Sequence, residues 1–240
     1  MSGGLGRWLV SAILAIAFAT PASATVMGFS DRTSFEAATS GDTLVLEDFE
    51  SYESDTSFRT TPVDVGAFTV TEFGGVTTAS GVNMIDVSPF GFIGSNAIDG
   101  DAYLLGWVNT LNNSYDPGTS AFIIFEFDET VSAFAADFNA VSVNVGLLFY
   151  VLPAGGSEYV QCTVCTNALG NGFMGFRGDA GESWDAIAIL PTVPDGDGSG
   201  QRFGMDNLTW VTAASVPEPG TAALLALGLT GIGIVGRRRR

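Results

Sequence analysis

Histidine and lysine are both absent from this chain. Without imidazole there is no Ser-His-Asp or Cys-His nucleophile, no HExxH zinc site and no histidine general base. Basic residues of any kind are scarce: of nine arginines, only Arg32, Arg59, Arg177 and Arg202 lie between the two ends of the chain. So few cations cannot track a phosphate backbone, which excludes nucleic acid as a partner. No phosphate-cradling Walker loop is present. Cysteine is nearly absent as well, Cys162 and Cys165 being the sole pair.

Carboxylates are abundant. Of 26 acidic residues, 25 (all but Glu218) fall between Thr25 and Ala214, a balance of −21 against the four arginines there. Such a surface repels phosphates, suits divalent cations and keeps a protein soluble. Eighteen phenylalanines are enough to fill one sizeable core, so the acidity does not mean disorder. Carboxylate pairs are the one catalytic option left, since glycosidases place two about 5–9.5 Å apart. With carboxylates this dense, some pair meets that distance by chance. No catalytic or cofactor-binding residue is therefore assigned, and the expectation is a protein that is not an enzyme.

The chain divides into three parts: residues 1–24, 25–214 and 215–240. The first reads as a secretory signal peptide. Arg7 is the basic end, Trp8 to Phe18 the apolar run, and Ala22-Ser23-Ala24 the small-residue cleavage site defined by Ala22 and Ala24. A transmembrane helix is the weaker reading, because the run is short and meets Pro21. In the last part Pro217-Glu218-Pro219 precedes an uncharged run of 16 residues, Thr221 to Gly236, which ends at Arg237, Arg238, Arg239 and Arg240. A helix of that length spans about 24 Å, close to a bilayer core, and the prolines stop it from extending upstream. Four guanidinium groups are retained on the cytoplasmic side, so the middle domain lies outside the cytoplasm. Gly231 to Gly236 matches GxGxxG. No strand precedes it, so it is no dinucleotide fingerprint; its small residues suit close helix packing in lipid.

This order of triplet, apolar helix and basic end resembles the PEP-CTERM sorting signal of Gram-negative bacteria. The resemblance covers only the tail. It implies that exosortase, a membrane protease-transpeptidase, is a partner, and that the C-terminal helix is a transient anchor in the inner membrane. It further implies passage to the outer surface or extracellular matrix. It says little about what the protein does there.

The middle domain alternates with a period of two. Phe68, Val70 and Glu72 share a face; Ile123, Phe125 and Phe127 do likewise; Phe134, Ala136 and Phe138 follow; and Val141 to Val151 is the longest alternation, ending at the turn Pro153-Ala-Gly-Gly156. One short helix is expected from Thr33 to Thr39, with Thr33 and Glu36 as a capping box. About ten short strands bounded by glycine and aspartate predict an all-β fold, an antiparallel β-sandwich. Leu46 to Glu50, Val131 to Phe138, Phe173 to Phe176 and Gly204 to Leu208 are similar to the jelly-roll ectodomains often joined to PEP-CTERM tails. That resemblance carries no catalytic residue across.

Three groups of residues are candidate sites. Cys162 and Cys165 form a CxxC pair; the expectation is a short structural disulfide in a loop after a strand ending near Val160, since an exported chain meets an oxidising compartment and no βαβ redox context is visible. Asp195, Asp197 and Ser199, with Asp206, fall at positions 1, 3, 5 and 12 of a calcium-loop spacing. Position 12 is not the usual glutamate and Pro191 and Pro194 deny an entering helix, so an Asp/Gly-rich connection between strands is the plain alternative. A second calcium possibility joins Glu47, Asp48 or Glu50 to Asp206, on fold analogy alone. Structural calcium is the only cofactor the sequence suggests. Trp107, Tyr115, Tyr150, Tyr159, Trp184 and Trp210 could form a sugar-binding face or could be core. The expected role is structural or adhesive, within exopolysaccharide or biofilm at the cell surface. A carbohydrate-binding module is the first alternative and a glycan-active enzyme the second.

Overall fold

A computed structural model describes residues 26–59, 61–73, 83–87, 98, 100–110, 120–139, 146–167, 172–179, 181–191 and 201–213. The expected signal peptide, the sorting tail, Tyr115, and Asp195, Asp197 and Ser199 lie outside them. In order the elements are β1 (Val26–Phe29), α1 (Arg32–Ala38), β2 (Leu44–Glu47), β3 (Thr56–Ser57), β4 (Val63–Asp64), β5 (Phe68–Phe73) and β6 (Met84–Asp86). There follow β7 (Tyr103–Thr110), β8 (Ser120–Asn139), β9 (Leu147–Pro153), β10 (Val160–Asn167), β11 (Gly172–Gly178), β12 (Trp184–Pro191) and β13 (Gln201–Thr212). The fold is all-β; among the described residues every strand pairing is antiparallel and thirteen strands form one hydrogen-bonded network. Among the described residues no helix is long and apolar enough to cross a membrane.

The network is organised around β8, twenty residues long. Its first part, Phe122 to Phe127, has β5 on one side and β12 on the other. Its second part, Ala133 to Phe138, has β11 on one side and β13 on the other. Between them the register slips. Glu126 faces Ala186 and Val131 faces Trp184, so four residues of β8 oppose Asp185 alone. A further residue is inserted against β13, between the pairs Thr212–Val131 and Val211–Ala133. Bulges of this kind bend a strand and let it pass from one layer to another. An insertion of one residue also reverses which side chains face inward. Ile123, Phe125 and Phe127 point to the core before the bend; Phe134, Ala136 and Phe138 do so after it.

The two parts face each other across an aromatic core. Phe134 lies 6.0 Å from Phe125, 6.2 Å from Phe149 and 5.5 Å from Phe176, measured between ring centroids. Phe68 of β5 meets Trp210 of β13 edge-on at 5.5 Å. Ring pairs in these tilted and edge-on arrangements add to the burial that drives the fold.

On its other face the second part of β8 carries Ala133 and Ala135, buried with Val211 beneath Phe35 of α1. The helix begins two residues earlier than the capping-box pattern predicts. Its N-cap is Asp31, extended at φ −143° and ψ 146°, whose carboxylate accepts the Ser34 N–H at 2.8 Å. That bond satisfies a free donor of the first turn, the function expected of Thr33. Phe35 packs between Phe29 and Phe173, each 5.7 Å away. Of the longest alternation, Val141 to Val145 lie outside the described residues; β9 starts at Leu147, after Gly146 at φ 63°.

Candidate functional site at the end where the chain leaves the fold

The bend of β8 lies against the β4–β5 turn. There Asp128 N–H donates to the Ala67 carbonyl at 3.1 Å, which holds the β4–β5 turn against the bend. The turn is closed by Asp64, whose carboxylate accepts the Gly66 N–H at 2.8 Å. Gly66 has φ +100°, a conformation open to glycine and strained for other residues. Beside this contact lies a pocket of about 230 Å³, lined by Val45, Gly66, Ala67, Trp210, Thr212, Asp128 and Glu129. Asp64, Asp128 and Glu129 are exposed, and the Trp210 side chain behind the pocket is almost wholly buried. Ala213 N–H donates to the Thr130 carbonyl at 2.7 Å, so the chain leaves the sheet beside the same pocket. The sequence pattern did not single out Asp128 and Glu129. The inward-facing parity that reverses between Phe127 and Phe134 is the signal that marks the bend.

Of the candidate metal residues, Asp195, Asp197 and Ser199 lie outside the described residues, and only Asp206 is described. Asp206 is buried in β13, paired across the ladder with Asp137, and its Oδ1 accepts the Asn207 N–H at 2.6 Å. Residues 201–206 are extended strand rather than the second half of a wrapping loop. The other carboxylates serve backbone donors: Glu47 accepts Phe49 N–H at 2.7 Å, Asp48 accepts Glu50 N–H at 3.2 Å, and Glu50 accepts Asp101 and Ala102 N–H at 2.9 and 3.0 Å. Among the described residues no group of three or more Cys, Asp or Glu side chains is placed to hold a metal ion.

Cys162 and Cys165 are joined as a disulfide, Cα to Cα 5.2 Å, and both are buried. They sit inside β10, not in a loop after it. Gln161 pairs with Tyr150 and Thr166 with Leu148, so residues 162–165 bulge opposite Phe149 and the bond spans that bulge.

The described tryptophans form no exposed platform. Trp107, Trp184 and Trp210 are 7 %, 0 % and 3 % exposed. Trp184 packs on Phe176 at 5.4 Å. Tyr150 is half-buried in a small cluster with Phe122, Ile124, Ala188 and Leu190, and Tyr159 stays partly exposed. Burial, with the Glu126 carboxylate nearby, pushes the Tyr159 hydroxyl up to about 12.

Two arginines pin α1 to the sheet, an arrangement that strand periodicity cannot show. Arg32 donates to Asp137 Oδ2 at 2.8 Å, to Thr209 Oγ1 and to the Asn207 carbonyl, and its guanidinium lies 4.9 Å above the Phe173 ring. Arg177 pairs with Asp42 at 3.0 Å and donates to the Ala38 carbonyl at the end of the helix.

A search of curated proteins finds no match to the chain. Two positions beyond Ala213, a family match begins: residues 215–240 match the PEP-CTERM protein-sorting motif, and the chain carries the sorting signal that directs an exported protein to exosortase.

Proposed function

We propose that this protein is made as a precursor, held at the inner membrane by Thr221 to Gly236 and Arg237 to Arg240, and processed there by exosortase. It is then released to the outer surface or extracellular matrix of a Gram-negative bacterium. Its jelly-roll-like sandwich serves a structural or adhesive role among exopolysaccharide and has no catalytic activity. The observation that carries this reading is the direct join of the sorting motif to the last strand: β13 ends at Thr212 and the motif begins at Ser215. A segment of that kind presents Pro217-Glu218-Pro219 as non-helical backbone just outside the lipid, where a membrane protease can bind it. The burial of Trp107, Trp184 and Trp210 favours the structural role over a tryptophan-lined glycan platform. The test is C-terminal peptide mass spectrometry on surface fractions from cells with and without exosortase. The expected mature chain lacks the apolar segment and its arginines only where exosortase is present. An intact Arg240 terminus on surface protein in both strains reduces the tail to a plain anchor.

A further inference from the structure

We propose that the end of the sandwich from which the tail leaves is the docking surface for the membrane enzyme that processes it, and that the pocket there receives a basic side chain of that enzyme. This inference rests on the exosortase reading above and adds to it a contact outside the sorting motif.

Reach makes the first argument. Ala213 is fixed to the bend of β8 through the Thr130 carbonyl at 2.7 Å. From Ala213 to Pro217 a fully extended chain covers roughly 14 Å at most. An enzyme that closes on Pro217-Glu218-Pro219 therefore lies against this end of the folded domain.

Shape and charge make the second. Val45, Ala67 and Trp210 give the pocket apolar walls, and Asp128 and Glu129 contribute exposed carboxylates. A long apolar stem with a cationic head fits such a pocket: the stem covers apolar surface while the head meets the carboxylates. The chain has no lysine, and residues 214–220 carry a single charge, that of Glu218. Glu218 and anionic lipid headgroups are both repelled by Asp128 and Glu129. Those two occupants are thereby disfavoured, and a cationic side chain on the enzyme remains.

The test uses the full chain in cells that hold the processing enzyme, with conversion of precursor followed by pulse-chase. Asp128→Lys combined with Glu129→Lys is expected to slow conversion about tenfold, the scale of one lost charge contact at an interface. Glu36→Lys combined with Asp101→Lys changes net charge equally at two exposed residues that do not line the pocket, and is expected to stay within about twofold of the parent. A flexible insertion of about ten residues after Ala213 frees the tail from the domain and is expected to bring the Asp128/Glu129 variant within about twofold of the equally lengthened parent. Asp128→Asn with Glu129→Gln supplies a milder pair if the lysine variant melts early. Unchanged conversion in both pocket variants, or equal slowing in the control, overturns the proposal. A parent chain that is not converted at all, with or without the enzyme, overturns the exosortase reading itself.

Discussion

Asn83 joins Glu72 to the backbone of Trp107: its amide donates to Glu72 Oε2 at 2.6 Å, and its carbonyl oxygen accepts the Trp107 N–H at 2.6 Å. All three residues are buried, and Asn83 holds φ 56° to reach both partners. Glu72 occupies an inward position of β5 beside Phe68 and Val70, where its alternation places it, and this bridge makes a carboxylate tolerable there. Asn83→Ala is expected to destabilise the domain by about 2–4 kcal/mol, because buried polar groups lose their partner. Asn83→Gly keeps the backbone conformation and should be milder by about 1 kcal/mol. Urea unfolding of both variants measures the two parts separately; equal losses would remove the backbone contribution.

The disulfide closes only the bulge of residues 162–165. Loop-closure entropy for so short a ring is worth about 2 kcal/mol. Replacing both cysteines with serine should lower the melting temperature without abolishing the fold, and native exported protein should show no free thiol until it is reduced. Thiol labelling before and after reduction checks the second point. Because among the described residues β10 pairs only with β9, loss of the staple should also increase association through that edge.

Stability should depend on pH through Glu182 and Glu47. Burial raises both carboxyls above their ordinary value of 4.5; at Glu47 the Phe49 N–H, 2.7 Å away, opposes the shift. A raised carboxyl contributes stability that is full below its unfolded value and is lost as pH rises through its folded value. Glu182→Gln should therefore gain on the parent between about pH 4 and pH 7, a gain read from urea midpoints at the two values. Asp31 has the opposite sign: its bond from Ser34 lowers its carboxyl, so that cap weakens as pH falls below the ordinary carboxylate range. A gain for Glu182→Gln that is the same at both pH values would show that titration is not involved.

Calcium is tested by melting. If Asp195, Asp197 and Ser199 bind it in the folded protein, added calcium raises the melting temperature of the parent and not that of Asp197→Ala. Identical melting of both proteins with and without calcium removes the site.

The arginines of the tail should decide retention. Moving four guanidinium groups through lipid is costly, so they are expected to hold the tail's end at the cytoplasmic face during processing. Deleting Arg237 to Arg240, or Glu218→Ala, is expected to leave an unprocessed precursor in the inner membrane. Fractionation followed by mass spectrometry of the C-terminal peptide checks it.

By itself the sequence determined the sorting signal and the fold class. Pro217-Glu218-Pro219, the apolar run and the arginines are contiguous, so their meaning needs no tertiary contact. The all-β class was equally legible, because period-two burial is local: Phe68, Val70 and Glu72 lie inward as their spacing requires. What only the tertiary structure decided depends on pairs distant in the chain. The segments around Phe125 and Phe134 read as separate strands, yet the register shifts against β12 and β13 make them one bent strand serving both layers. The salt bridge from Arg32 to Asp137 spans 105 positions, and no periodicity encodes it. Whether Trp107, Trp184 and Trp210 were platform or core depended on which layer covered them, and Trp210 lies over Phe68, far away in sequence. The pocket beside Ala213 arose in the same way. Val45, Ala67, Asp128 and Trp210 come from four separate segments, and they meet because the bend of β8 brings those segments together.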